Sequence, residues 1–277
     1  MIIVRLWIAV ILSFVPVFLH AQRIVTLSSA HTETVDALGL GQNIVAVDVT
    51  SEYPDYAKKL PRVSANRTVS AEGILSFRPD MVIAAASDIP LTIQHQLKAA
   101  GVKLVLTHQE YTVKGTVQFI RQIAGGLGVS AKGEELAAKT VKATKYAVDH
   151  VKQQSTKHPG VLFIYARGAG VMSVAGKGSS IDAIIRLAGG HNVIKEFNDF
   201  KPYSTEALVK ADPDIILMFD FGLSSLGGRK SVLNMPGVSL TRAGKQQKVI
   251  ALDPHLLINF SVRLPQAILT LNKALME

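Results

Sequence analysis

The feature that most constrains this chain is that it says the same thing twice. Ser70-Ala-Glu-Gly-Ile-Leu-Ser-Phe-Arg-Pro-Asp-Met-Val-Ile-Ala84 and Ser204-Thr-Glu-Ala-Leu-Val-Lys-Ala-Asp-Pro-Asp-Ile-Ile-Leu-Met218 each open with Ser-x-Glu, pass through a short amphipathic turn, reach Pro-Asp and continue as an apolar run. The physical reading is common to both. Serine caps a helix whose first turn holds a glutamate, proline stops it, and the apolar run enters a sheet. A second echo keeps the same order along the chain: Thr34-Val-Asp-Ala-Leu-Gly-Leu-Gly-Gln-Asn-Ile-Val45 and Ile181-Asp-Ala-Ile-Ile-Arg-Leu-Ala-Gly-Gly-His-Asn-Val-Ile194. Each is a helix closed by glycine, then asparagine, then a strand. Two similar lobes are the simplest account of both echoes.

The rest of the chain fits an α/β fold with two similar lobes, each a mainly parallel sheet flanked by helices. Apolar strands are read at Ile24 to Leu27, Ile44 to Val49, Met81 to Ala85 and Val102 to Leu106, then at Val161 to Tyr165, Ile215 to Phe219 and Val249 to Leu252. Helical stretches alternate with them, a pattern that covers a parallel sheet on both faces. Ala131 to Gln154 contains no proline, one early glycine, and Ala, Lys, Val and Leu at helical spacing. It predicts one long helix joining the lobes, since a flexible linker is rich in Gly, Ser or Pro. The expected organisation is an export leader at 1–21, an N-terminal lobe at 22–129, the connecting helix at 130–157 and a C-terminal lobe at 158–277. Such a shape leaves a ligand cleft between the lobes, where loops at the strand ends converge.

Met1 to Ala21 carries a positive charge at Arg5, then an apolar run, then a small residue before polar Gln22 and Arg23. That is the layout of a secretory signal, and the protein is expected in the periplasm with the signal removed. A retained helix tethering the protein to the membrane is the alternative. With no cysteine in the chain, disulfides, thiolate metal sites and a lipid-modified cysteine are excluded. The formal net charge of +9 favours an anionic partner, but no Lys/Arg tract interleaved with aromatics points to nucleic acid. Neither Gly-x-Ser-x-Gly nor His-Glu-x-x-His occurs, and Ala175-Gly-Lys-Gly-Ser-Ser180 lacks the first glycine of a phosphate loop, so no enzyme and no catalytic cofactor are expected.

Arg23-Ile-Val-Thr-Leu-Ser, Thr32-Glu33 and Ala37-Leu-Gly-Leu-Gly resemble the opening of the helix-backbone class of bacterial solute-binding proteins, which serve ABC importers for siderophores, cobalamin and haem. Leu60-Pro-Arg-Val, Val174-Ala-Gly-Lys-Gly and Asp182-Ala-Ile-Ile-Arg-Leu-Ala-Gly-Gly look most like its haemin-binding branch. The resemblance implies a monomer that captures haem and delivers it to the membrane permease, with a ferric siderophore or cobalamin as the alternative ligand. It implies that Glu72 and Glu206, one on each lobe, dock onto basic residues of the permease subunits. Helix-dipole complementation is the other reading of that pair.

The resemblance also exposes a departure. Haemin-binding relatives place a tyrosine shortly after the Leu-Pro-x-Val stretch as iron ligand, with an arginine two residues later. Here Val63-Ser-Ala-Asn-Arg67 keeps the arginine and has Ala65 in the tyrosine's place. Candidates for the iron in cleft-facing loops are therefore His31, Tyr53, Tyr56, His108, Tyr111, Tyr165, Tyr203 and His255. His31, just after the first strand, comes first and Tyr165, two residues before Arg167, comes second. Arg67, Arg167 and Arg263 are candidates for the two haem carboxylates, which a guanidinium fork can bind through both oxygens.

Overall fold

A computed structural model of the chain describes residues 22–66, 68–154, 157–168 and 172–277. The leader read at 1–21 and the candidate Arg67 lie outside the described residues. In the first lobe, β1 (Ile24–Thr26), β2 (Ile44–Val47), β3 (Met81–Ala85) and β4 (Lys103–Thr107) form a four-stranded sheet in the order β2-β1-β3-β4, every pair parallel. Between and after them run α1 (Ser29–Ala37), α2 (Ala71–Leu75), α3 (Leu91–Ala99) and α4 (Val113–Gly126). Alternate strand residues point to opposite faces. Ile24, Met81 and Ile83 pack with Val35 of α1 and Phe119 of α4, whereas Val25, Val82 and Ala84 pack with Ile74 of α2 and Leu97 of α3.

The second lobe follows α5 (Ser130–Gln154). Its strands are β5 (Gly160–Ala166), β6 (Met172–Ala175), β7 (His191–Asn192), β8 (Phe200–Lys201), β9 (Ile215–Phe219) and β10 (Val249–Leu252), in the order β10-β9-β5-β6-β8 with β7 beside β5. Helices α6 (Ser180–Leu187), α7 (Thr205–Ala211), α8 (Asp220–Ser225), α9 (Arg229–Leu233), α10 (Arg242–Lys245), α11 (Pro254–Ile258) and α12 (Leu264–Met276) cover it. Val161, Phe163 and Leu217 face α6 and α12, and Leu162, Ile164 and Met218 face the opposite core. This sheet is mixed, because β6 runs antiparallel to both β5 and β8. β6, at Met172–Ala175, is not among the strands read in the sequence. The chain turns back directly beside β5 instead of making the long crossover that a parallel neighbour needs.

Helix α5 is 25 residues long, about 38 Å at 1.5 Å per residue. Leu136 in its first half packs on the first lobe's core, and Ala147 and Val151 pack on the second lobe's. Thr140 and Thr144 are buried, each returning its hydroxyl to a carbonyl one turn back at 2.8 Å, so burial leaves neither unpaired. A Cβ at Gly133 would collide with the Ala124 side chain, so glycine permits the close approach of α4 and α5.

The repeated Ser-x-Glu motif has the same geometry in both lobes. Ser70 Oγ accepts from the Gly73 N–H at 3.0 Å, and Ser204 Oγ accepts from the Ala207 N–H at 3.1 Å. Glu72 and Glu206 stand exposed at matching positions in the first turns of α2 and α7.

Candidate functional site

Between the lobes lies a cavity of about 370 Å³ lined by the loop after β1, by Asp48 and Asp88, by Gln109 and Tyr111, and from the other lobe by Ser180, His255 and Asn259. The N-terminal wall begins at α1, where seven consecutive residues, Ser29 to Val35, are buried. Five of them are polar or charged, so their partners have to come from within the protein. Thr32 Oγ1 bonds Thr26 Oγ1 at 2.6 Å and Ser51 Oγ at 2.8 Å. Asp48 accepts from the Ser51 hydroxyl at 2.7 Å and the Thr50 hydroxyl at 2.6 Å, occupying both carboxylate oxygens.

His31 belongs to this network, which differs from the expectation of an imidazole free for iron. It is buried, with Ser28 Oγ 2.5 Å from Nδ1 and Thr107 Oγ1 2.8 Å from Nε2. Thr107 gives its own hydrogen to the Ala84 carbonyl at 3.3 Å, so it accepts from Nε2–H and leaves Nδ1 to accept from Ser28. Burial lowers the His31 pKa to about 3 and keeps the ring neutral. Both ring nitrogens thus have hydroxyl partners while the residue borders the cavity.

A clamp crosses the base of the cleft. Glu33, on α1, has a completely buried side chain. Arg263 of the other lobe reaches its carboxylate at 2.6 Å, Ser261 donates to it at 3.1 Å, and Asn259 donates both to it at 3.1 Å and to Ser29 Oγ at 2.6 Å. Burial pushes the Glu33 carboxyl up, with Arg263, Ser261 and Asn259 pulling the other way. The Arg263 guanidinium lies 4.1 Å from the centre of the Tyr53 ring, and its buried Nε has no partner among the described residues. Arg263, expected at the ligand carboxylates, is engaged between the lobes in this structure: a buried glutamate on α1 requires a cation, and Arg263 supplies it. Thr116 and Gln109 add hydrogen bonds to the Phe260 carbonyl at 3.1 and 3.2 Å, and Gln109 also reaches the Asn259 carbonyl.

Tyr165 lies near the end of β5, partly buried, with its ring edge-on to Phe219 and Phe221. Arg167 Nε donates to its hydroxyl at 2.6 Å, and the Arg167 guanidinium sits 5.2 Å from the Phe221 ring centre. Gly168 then hands its N–H to Ser225 Oγ at 3.0 Å. β5 ends at Ala166, so Arg167 stands one residue beyond the strand and turns back onto the Tyr165 hydroxyl; neither residue is among those lining the cleft cavity.

The other candidates are dispersed. The Tyr56 hydroxyl donates to Asp36 at 2.8 Å, Tyr203 packs against Phe197 in a separate groove, and His108 is exposed outside the cavity lining. Asn259, Ser261 and Gln109 lie in loops the strand ends bring to the cleft, but sequence reasoning gave none of them a role. No local pattern marks residues whose partners are more than a hundred positions away; Glu33, charged within a buried helix, was the available signal.

The periplasmic binding protein family model matches residues 24–256. The periplasmic haem-binding protein RhuT from Roseiflexus sp. RS-1, in apo form, is 39% identical, covers 91% of this chain and 97% of its own, and superposes with a TM-score of 0.87. The haem-binding protein HmuT is 31% identical over 92% of this chain and 84% of its own, with a TM-score of 0.84. HmuT has also been solved with a tyrosine, an arginine two places further on, and a histidine each replaced singly. The ABC transporter substrate-binding lipoprotein YvrC of Bacillus subtilis (strain 168), uncharacterised, is 26% identical over 89% of this chain and 77% of its own length. With a family model spanning nearly all of both lobes and relatives of the same two-lobed architecture, the chain belongs to the periplasmic binding protein family.

Proposed function

We propose that this protein captures haem in the cleft and delivers it to the permease of an ABC importer, with Tyr165 holding the iron. The observation that carries the reading is the 2.6 Å hydrogen bond from Arg167 to the Tyr165 hydroxyl oxygen. Ferric iron takes a tyrosine as its anion, and a guanidinium donor stabilises the negative charge on that oxygen. The same Tyr-x-Arg spacing has been probed by substitution in HmuT, which supports the assignment. Phe221, partly exposed beside the tyrosine and backed by buried Phe219, offers apolar ring surface for a flat macrocycle.

Delivery uses the two exposed glutamates. Glu72 and Glu206 occupy the same capped position on the two lobes, so they present one negative charge each in matching local frames, suited to a permease built of two subunits. The protein works as a monomer in the periplasm, with residues 1–21 removed on export; mass spectrometry of the N-terminus of the secreted protein checks the removal. Titration with haemin tests the ligand. A Soret shift that saturates at a defined ratio is expected, whereas no shift together with tight binding of cobalamin or a ferric siderophore would replace haem with that ligand.

A further inference from the structure

A second hollow, of about 170 Å³, lies in the C-terminal lobe and shares no lining residue with the cleft cavity. Buried Leu162 and Ile164 of β5 and Leu208 of α7 form its base, and the more exposed Met172, Met235 and Pro236 form its rim. No charged side chain lines it among the described residues. Leu162, Ile164 and Leu208 belong to the core on that face of the sheet, so here the apolar core reaches water. Met172 is 40% exposed, and its unbranched thioether chain can adapt to whatever group meets it.

The position of this hollow ties it to Glu206. Ser204 and Thr205, also in its lining, immediately precede Glu206, so the exposed carboxylate stands one residue from the hollow. The internal repeat shows that such a helix start has no need of an opening. Ala71, the match of Thr205 in the first lobe, is buried in the core that holds Ile74, whereas Thr205 is exposed. Gly237 sets the rim in place. Its φ of +83° is left-handed, and a Cβ there would lie 2.7 Å from the Thr205 Cγ2, so glycine lets the Met235-Pro236 turn press against α7.

We propose that this hollow is a docking socket for one large apolar side chain of the permease, next to the basic residue that Glu206 meets. This rests on the docking reading above and assigns the second lobe a contact that its glutamate alone does not supply. An apolar anchor seated in a pocket is a common source of interface affinity. It also excludes water from the neighbouring ion pair, which strengthens the attraction between the charges.

The test measures docking of the full protein on the importer's permease–ATPase complex in nanodiscs, using Met172→Lys, Met235→Lys, Met172→Leu, Met235→Leu and Glu206→Ala. Near-ultraviolet circular dichroism confirms each fold. Both lysine variants should dock about tenfold more weakly with haemin affinity unchanged, and both leucine variants should dock like the parent. A benzophenone side chain in place of Met172 should crosslink to a permease segment that carries Lys or Arg within a few residues. If the lysine variants dock like the parent while Glu206→Ala docks weakly, the socket is overturned and the glutamate reading stands. If all three dock like the parent, the socket and the glutamate reading fall together. Lysine variants that lose haemin affinity would make the hollow part of the ligand site and overturn the inference.

Discussion

On the N-terminal wall of the cleft, the His31 imidazole has a hydroxyl against each nitrogen, and Asp48 has hydroxyls on both carboxylate oxygens. On the C-terminal side, among the described residues, the His255 ring makes no hydrogen bond, and outside the cavity lining the Tyr165 oxygen keeps a lone pair beyond the one Arg167 occupies. The residue types on the two sides are alike, but their availability is opposite. The polar groups of the first wall stabilise each other, whereas the Tyr165 oxygen has capacity left over. A binding site is thus read from unsatisfied capacity more than from residue identity, because a buried polar group already paired loses that pairing if it turns to a ligand.

If the clamp holds the two walls in register, breaking it should have the largest effect on the molecule. Arg263→Ala leaves the Glu33 charge buried and alone, and should lower unfolding free energy by about 3–5 kcal/mol in urea titrations. Glu33→Leu with Arg263→Met should recover most of that loss, since a packed apolar pair also avoids the uncompensated charge. A double variant no more stable than the single one would mean the clamp acts through something other than the ion pair.

The N-terminal wall has its own signature in pH. The His31 pKa in the folded protein is about 3, below the ordinary value of 6.5, so the unfolded chain binds this proton first. No stability difference arises from it above pH 6.5. Between 6.5 and about 3, stability should fall as pH falls, with a slope of about 1.4 kcal/mol per pH unit from this group. His31→Gln should remove that slope while leaving haemin binding intact, and a variant that lost the ligand would place His31 on the wrong wall in this account.

The smallest effect on stability is expected at the lobe tips. Glu72→Ala and Glu206→Ala should each cost about 0.3–1 kcal/mol through the helix dipole. Together they should abolish uptake in a reconstituted transporter while leaving haemin affinity unchanged. A fall in affinity would move these glutamates from docking to ligand binding.

The parts of this molecule legible in its sequence are those with local causes. The Ser70 and Ser204 caps, the Pro-Asp stops and the strands that follow are set by neighbours within a few positions, and the echo between lobes came from them. Strand β6 was hidden because it is short, returns beside β5 and lies in a stretch dense in glycine. Helix α1 was misleading for a different reason. Its serine, histidine, threonine and glutamate side chains look like a solvent-facing surface, yet they are buried by a sheet on one side and the 259–263 segment on the other. The proximity of Tyr165 and Arg167 was legible because they are two positions apart in the chain; the pairing of Glu33 with Arg263 was not, because it joins residues 230 positions apart.

The central claim is that Tyr165, near the end of β5, supplies the iron's tyrosine, and Tyr165→Phe tests it most directly. The substitution keeps the ring against Phe219 and Phe221 and removes only the oxygen. Titrated with haemin beside the parent, it should lose the visible charge-transfer band of tyrosinate ligation and bind at least about tenfold more weakly. A variant with the parent's visible spectrum and affinity would contradict the assignment of Tyr165 to the iron.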